Sequence, residues 1–163
     1  MRILLVLAAA AAMVWAESAA GIKWTAPQGW TSKGEAPMRA AQYVAGDAEC
    51  VVYFFGPGQG GTVDANIARW SSQFAGADGK PAPSKVTKSM IHGLPVTRMD
   101  VSGTYTASGG AAVTSQTPKA GNRMLAAIVE GPGGNLFVKF SGPAKTIAAQ
   151  TAAFDALIAS FQK

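Results

Sequence analysis

The stretch Glu49-Cys50-Val51-Val52-Tyr53-Phe54-Phe55, closed by Gly56-Pro57-Gly58-Gln59-Gly60-Gly61, decides the fold. From Cys50 to Phe55 every residue is apolar or aromatic, so a strand here carries apolar side chains on both faces. Such a strand has to be covered from two sides, which places it centrally in a sheet. The glycine-rich segment ends the strand, and a helix follows. Thr62 is a good N-cap, Asp64 suits the positive N-terminal end, and Val63, Ile67, Trp70 and Phe74 recur at helical spacing as one buried stripe.

Working outward, Met38 to Val44 reads as a strand and Gly46-Asp47 as a turn, which makes the decisive strand the second arm of a hairpin. Before it, Ile22 to Trp30 is a short extended opening with a turn at Gln28-Gly29, and Gly34 to Pro37 is a loop. After the helix and a loop over Gly76 to Pro83, Val86 to Ile91 and Pro95 to Thr106 flank the turn His92-Gly93. Met99, Val101 and Tyr105 alternate there with Arg98, Asp100, Ser102 and Thr104, a half-buried pattern. Ala107 to Asn122 is a loop rich in Gly, Ser and Ala. Arg123 to Val129 and Asn135 to Phe140 make a further hairpin about Gly131-Pro132-Gly133-Gly134. A last helix opens at Gly142-Pro143 with Pro at its first position and turns Ile147, Thr151, Phe154, Ile158 and Phe161 inward. Consecutive hairpins predict an antiparallel sheet, and two amphipathic helices need apolar surface to cover. The expected fold class is α+β, an antiparallel β-sheet flanked by helices.

The amino terminus predicts export. Arg2 precedes unbroken apolar sequence from Ile3 to Val14, and Val14-Trp15-Ala16 places small residues where a signal peptidase requires them. Residues 1–16 read as a signal peptide, with a second acceptable cleavage after Ala20. The apolar run is too short to span a bilayer, and Glu17 ends it. The expectation is one exported α+β domain over residues 17–163, periplasmic or secreted, with no membrane span after processing. Charged residues are only 14% of the chain, below the ~25% common in soluble domains, which suits an envelope or secreted surface.

Composition also narrows the chemistry. The formal charge is +5, yet Lys80, Lys85, Lys88, Arg98, Lys119, Arg123, Lys139 and Lys145 are spread singly. A nucleic-acid surface needs neighbouring phosphate contacts, so no nucleic-acid partner is expected. Weak attraction to anionic envelope polymers or lipid headgroups fits the charge. Cys50 is the only cysteine, which rules out an internal disulfide, and its apolar context reads as a buried, inert thiol. His92 is the only histidine and reads as a solvated turn residue, so neither a metal cluster nor a Ser-His-Asp set is expected. Gly56-x-Gly58-x-x-Gly61 matches a dinucleotide fingerprint literally, but its neighbours look like hairpins rather than a parallel βαβ unit. It reads as a turn needing positive φ and close packing, with no cofactor. The acids lie on different elements and propose no catalytic pair. Trp24 and Trp30 flank a Pro-Gly turn and are candidates for the core or for a groove. Arg39, Asn66 and Arg69 are the candidate partner-binding residues: two guanidinium groups suited to carboxylate or phosphate, beside a polar amide on the helix.

Several segments together resemble a known group. They are Trp24 to Trp30, Met38-Arg39, Val52 to Gly56, Gly61 to Trp70, Asp100 to Tyr105, Arg123 to Leu125 and Lys139 to Thr146. They resemble uncharacterised exported bacterial proteins with a PsbP/DcrB-like fold, an antiparallel sheet between helices. That resemblance implies no enzyme activity, cofactor or catalytic residue, and accessory or binding subunits are what the broader fold suggests. The resulting expectation is a non-enzymatic exported binding or accessory domain of the bacterial cell envelope, with an envelope protein or an anionic envelope polymer as partner. The alternative is an envelope hydrolase whose acids assemble only in three dimensions.

Overall fold

The central strand is where its two apolar faces require it to be. In the computed structural model, which describes residues 16–106 and 117–163, the chain opens with a small hairpin, β1 (Ala16–Ala19) and β2 (Ile22–Thr25). Then come β3 (Thr31–Ser32), β4 (Arg39–Ala45), β5 (Ala48–Tyr53), α1 (Val63–Ser71) and β6 (Phe74–Ala75). β7 (Ser84–Ile91), β8 (Leu94–Tyr105), β9 (Lys119–Gly131), β10 (Gly134–Pro143), α2 (Ala144–Ala149) and α3 (Thr151–Ala159) complete it. The main sheet is ordered β3-β4-β5-β10-β9-β8-β6, with β7 also paired to β8. Its pairings are antiparallel.

The period-2 alternation of each inner strand divides the core into two layers. On one face Cys50, Val52, Leu125, Ala127, Val129, Val138 and Phe140 are buried under Ile147, Phe154, Leu157, Ile158 and Phe161 of the C-terminal segment and under Ile22 and Trp24 of the first hairpin. On the other face Met99, Val101, Met124, Ala126, Ile128 and Phe137 pack beneath Trp70 and Phe74. The first layer is the broader. α1 has nine residues and is about 14 Å long, whereas seven hydrogen-bonded strands span about 29 Å, so a single short helix cannot close the second face.

Four local differences from the sequence reading have physical causes. Phe74 belongs to β6 rather than to the helix. α1 ends at Ser71, and Phe74 reaches the same core from a strand paired with Tyr105, the two rings 5.3 Å apart. The last helix is two helices, broken at Gln150 (φ −105°), and Pro143 stands at the N-cap rather than at the first helical position. Thr151 helps to hold the break, its hydroxyl donating to the Ile147 carbonyl at 2.9 Å. The expected loop over 107–122 is shorter at its end, because β9 begins at Lys119 and Asn122 pairs with both Gly103 and Pro143. Residues 107–116 of that loop, and residues 1–15 of the expected leader, lie outside the described residues. Finally, the extended opening starts before Ile22, since Ala16–Ala19 pairs with Ile22–Thr25. Glu17 accepts hydrogen bonds from the buried Trp24 indole (3.1 Å) and from the Tyr43 hydroxyl.

Candidate functional site

The incomplete second face carries a cleft. It starts from the glycine-rich turn, where Gly60 (φ +90°) lets the chain pass against two rings. A Cβ there would lie 2.5 Å from Phe137 Cε2 and 2.8 Å from Phe55 Cδ2. The glycines of the fingerprint-like pattern, Gly56, Gly58 and Gly61, all have positive φ (+103°, +68° and +82°), and β5 before them has only antiparallel partners, unlike a dinucleotide-binding unit. Thr62 caps α1 as its sequence predicts, accepting from the Ala65 amide at 3.2 Å. Asn66 locks turn to helix: its Nδ2 donates to the carbonyls of Gly60 (2.8 Å) and Thr62 (2.9 Å). Its Oδ1 accepts from Arg69 Nη2, which orients the guanidinium. Asn66 is buried and its amide is engaged on both sides, so at the cleft it orients Arg69.

Arg69 projects from the exposed side of α1 into a cleft of about 220 Å³. Tyr53, Phe55, Asn66, Trp70, Gln73, Phe137 and Lys139 line it as well. Tyr53 and Phe55 stack nearly parallel, with centroids 5.8 Å apart and planes 9° apart. Trp70 meets Phe137 edge-on at 6.4 Å. Arg39, beyond a bulge in β4, lays its guanidinium 5.7 Å over the Tyr53 ring and is bonded to Gln42 Oε1 (2.6 Å), with Glu49 at 3.8 Å. The structure thus brings Arg39 and Arg69 to one aromatic surface from two separate elements.

Two members of this cleft break the rules of an ordinary core. Lys139 lies on β10 two residues from Phe137, so the strand's alternation directs it to the same face, and its Nζ lies 5.7 Å from the Trp70 ring centre. Burial, and then the charge of Arg69, push its amine down from its ordinary value near 10.5 to about 8. Among the described residues no carboxylate lies within 4.0 Å of Lys139 or of Arg69. Gln73 is the second: its buried Oε1 has no hydrogen-bond donor among the described residues. Burial also raises the Tyr53 phenol above its usual value, which keeps it neutral.

The remaining sequence candidates are placed elsewhere. Cys50 is fully buried on the opposite face, and burial pushes its thiol well up, so it is not a nucleophile. His92 sits exposed in the β7–β8 turn with φ +46°, its Nδ1 2.9 Å from the Phe161 carbonyl. Trp24 is core, and Trp30 packs on Phe140 at 4.7 Å while its indole donates to Gln150 Oε1 at 2.9 Å. A second cavity, about 250 Å³, holds the carboxylates of Asp100 and Asp155 on the α3 side. Arg123 grips Asp100 with two hydrogen bonds, 2.9 and 2.7 Å, and Arg98 is bonded to Asp155. Both acids are engaged by guanidinium groups. Among the described residues no helix is long and apolar enough to cross a membrane, and no cluster of His, Cys, Asp and Glu is assembled that could hold a metal ion.

Element order and layering define a PsbP-like α+β fold. The solution structure of cyanobacterial PsbP (CyanoP) from Synechocystis sp. PCC 6803 matches with a TM-score of 0.56, at 13% identity over 97% of each chain. At that identity the likeness is one of fold. No family model matches the chain, and no curated protein matches it.

Proposed function

We propose that this chain is an exported, non-enzymatic binding or accessory domain of the bacterial cell envelope, periplasmic or secreted, and that it engages an anionic envelope polymer through the cleft beside α1. One observation carries this reading: Arg69 and Lys139 line a cleft of aromatic rings with no carboxylate within 4.0 Å among the described residues. Elsewhere on the surface Arg98 and Arg123 are neutralised by their own aspartates. Cations left uncompensated in a partly desolvated site attract an anion more strongly than solvated lysines do. For the hydrolase alternative, Asp100 and Asp155 are paired with Arg123 and Arg98, Cys50 is fully buried and the His92 ring is bonded to the Phe161 carbonyl, which leaves Asp47 and Glu49, lining a separate cavity of about 380 Å³, as its acids.

Cosedimentation with isolated envelope material tests the proposal. Wild-type protein is expected to be retained at low ionic strength and released by salt, while the double variant Arg69→Ala/Lys139→Met stays in solution. Equal retention of the two folded proteins would refute it.

A further inference from the structure

We propose that the occupant of this cleft is a uronic acid unit of an acidic polysaccharide, its carboxylate between Arg69 and Lys139, its ring against the aromatic walls and one hydroxyl donating to Gln73 Oε1. The inference rests on the anion-binding reading above and adds the chemistry of the ligand. Charge alone selects any anion, and three further features narrow the choice.

The first is the orphan acceptor. Gln73 lines the cleft and its buried Oε1 lacks a donor among the described residues. An unmet buried acceptor is an unfavourable arrangement that an incoming hydroxyl relieves, and acetate or sulfate brings no hydroxyl. The second is the walls. Tyr53 and Phe55, both half-buried, present a stacked pair, with the buried Phe137 packed on Phe55 and Trp70 edge-on to Phe137. Flat aromatic faces accept the apolar C–H face of a sugar ring while its polar rim turns to the cations and the amide. The third is size and access. About 220 Å³, open to solvent, admits one ring. Asn66 also lines the cleft and acts as a positioning residue, since its Oδ1 holds Arg69 while its Nδ2 is taken up by the Gly60 and Thr62 carbonyls.

The test is a titration of the full exported chain followed by the indole N–H resonance of Trp70, assigned with Trp70→Phe. Four probes are compared: D-glucuronate, methyl glucoside, acetate, and a short oligogalacturonate. Glucuronate is expected to shift the Trp70 signal and to bind about tenfold more tightly than acetate or methyl glucoside, since each lacks one of the two polar anchors. The oligomer is expected to bind more tightly than the monomer. Gln73→Leu is expected to weaken glucuronate about tenfold and leave acetate unchanged, whereas Lys139→Met weakens both. If acetate binds as well as glucuronate, the sugar assignment fails and the anion-binding reading stands. If no anionic probe moves Trp70, both fail. If monomer and oligomer bind alike, the ligand is a free hydroxy acid and the polymer assignment is wrong. The probe comparisons use the unmodified chain, so they decide the matter even where Gln73→Leu does not fold.

Discussion

Replacing Lys139 by methionine is expected to make the protein more stable at neutral pH, and to do so less and less as pH rises. In the folded chain the amine titrates near 8, while in the unfolded chain it returns to about 10.5. A depressed lysine pKa means that the fold disfavours the charged amine. Below pH 8 both states carry the proton and the whole penalty is present, about 3 kcal/mol for a displacement of this size. Between pH 8 and 10.5 the unfolded state holds more protons than the native one, so stability rises with pH and the penalty disappears. Methionine keeps the stem that packs on Trp70 and removes the charge, but it also removes the contact of Nζ with the Trp70 ring, worth ~1 kcal/mol. The net gain at pH 7 is then about 2 kcal/mol. Urea denaturation of both proteins from pH 6 to 10.5 measures it. Only the difference between them is informative, because Cys50, Tyr43 and Tyr53 have raised pKa values and lower the stability of both proteins in the alkaline range. The groups facing Lys139 in the cleft are Arg69 on α1 and Tyr53 on β5, with Arg39 and Glu49 beyond Tyr53. A variant that is less stable at pH 7, or a difference that does not shrink between pH 8 and 10.5, would refute the picture of a desolvated amine.

Three further outcomes follow from the same packing. Trp70→Ala is expected to lower stability by about 3–5 kcal/mol, since it empties a buried site under Phe137 and Phe74; an unchanged urea midpoint would show that α1 faces away from the sheet. Cys50→Ser is expected to lower stability by ~1–3 kcal/mol, because a hydroxyl replaces a thiol in a fully buried apolar site, while titrations with glucuronate stay unchanged; loss of binding by folded protein would contradict the inert role. Protein beginning at Gly21, as cleavage after Ala20 would leave it, is expected to be less stable than protein beginning at Glu17 by about 2 kcal/mol, because the Trp24 indole and the Tyr43 hydroxyl lose a charged acceptor along with strand β1. Equal denaturation midpoints for the two forms would show that Glu17 holds nothing together.

The fold was legible because periodicity carries burial. Cys50 to Tyr53 announced a strand covered on both sides, the turn at His92-Gly93 and the hairpin about Gly131 to Gly134 set neighbours antiparallel, and Thr62 marked the start of α1. What escaped was decided by long-range contact. Nothing local distinguishes Phe74 in a strand from Phe74 in a last helical turn; its pairing with Tyr105, 31 positions along the chain, settles that. Ala16–Ala19 has the composition of a leader's end, and its strand rests on pairing with Ile22–Thr25 and on the bonds of Glu17 to Trp24 and Tyr43. The site was half legible. Arg39 and Arg69 were visible as candidates for an anion, and Asn66 as a polar residue beside the stripe. Lys139 and Gln73 were not, since a single lysine in Phe137-Val138-Lys139-Phe140 gains its meaning from the register that sets it opposite Val51 and Ala126, under one edge of a helix.

The cleft also stands out against the way the rest of the molecule treats buried polarity. Tyr43 and Trp24 share a carboxylate, Asn66 is satisfied on both sides of its amide, and Asp100 is matched by Arg123. Each is an ordinary solution in which every buried donor or acceptor meets its complement. Within one cleft the pattern fails twice: a desolvated amine without a carboxylate and an amide oxygen without a donor. The two failures are opposite in kind, since one needs an acceptor and the other a donor, yet they do not satisfy each other. A ligand that carries both a carboxylate and a hydroxyl satisfies both at once, and two opposite unmet needs in one cleft are explained by what that cleft binds. Lys139→Met therefore separates the two roles of the residue in a single variant: stability should rise while affinity for glucuronate falls. A purely structural lysine would move both quantities in the same direction or leave affinity untouched.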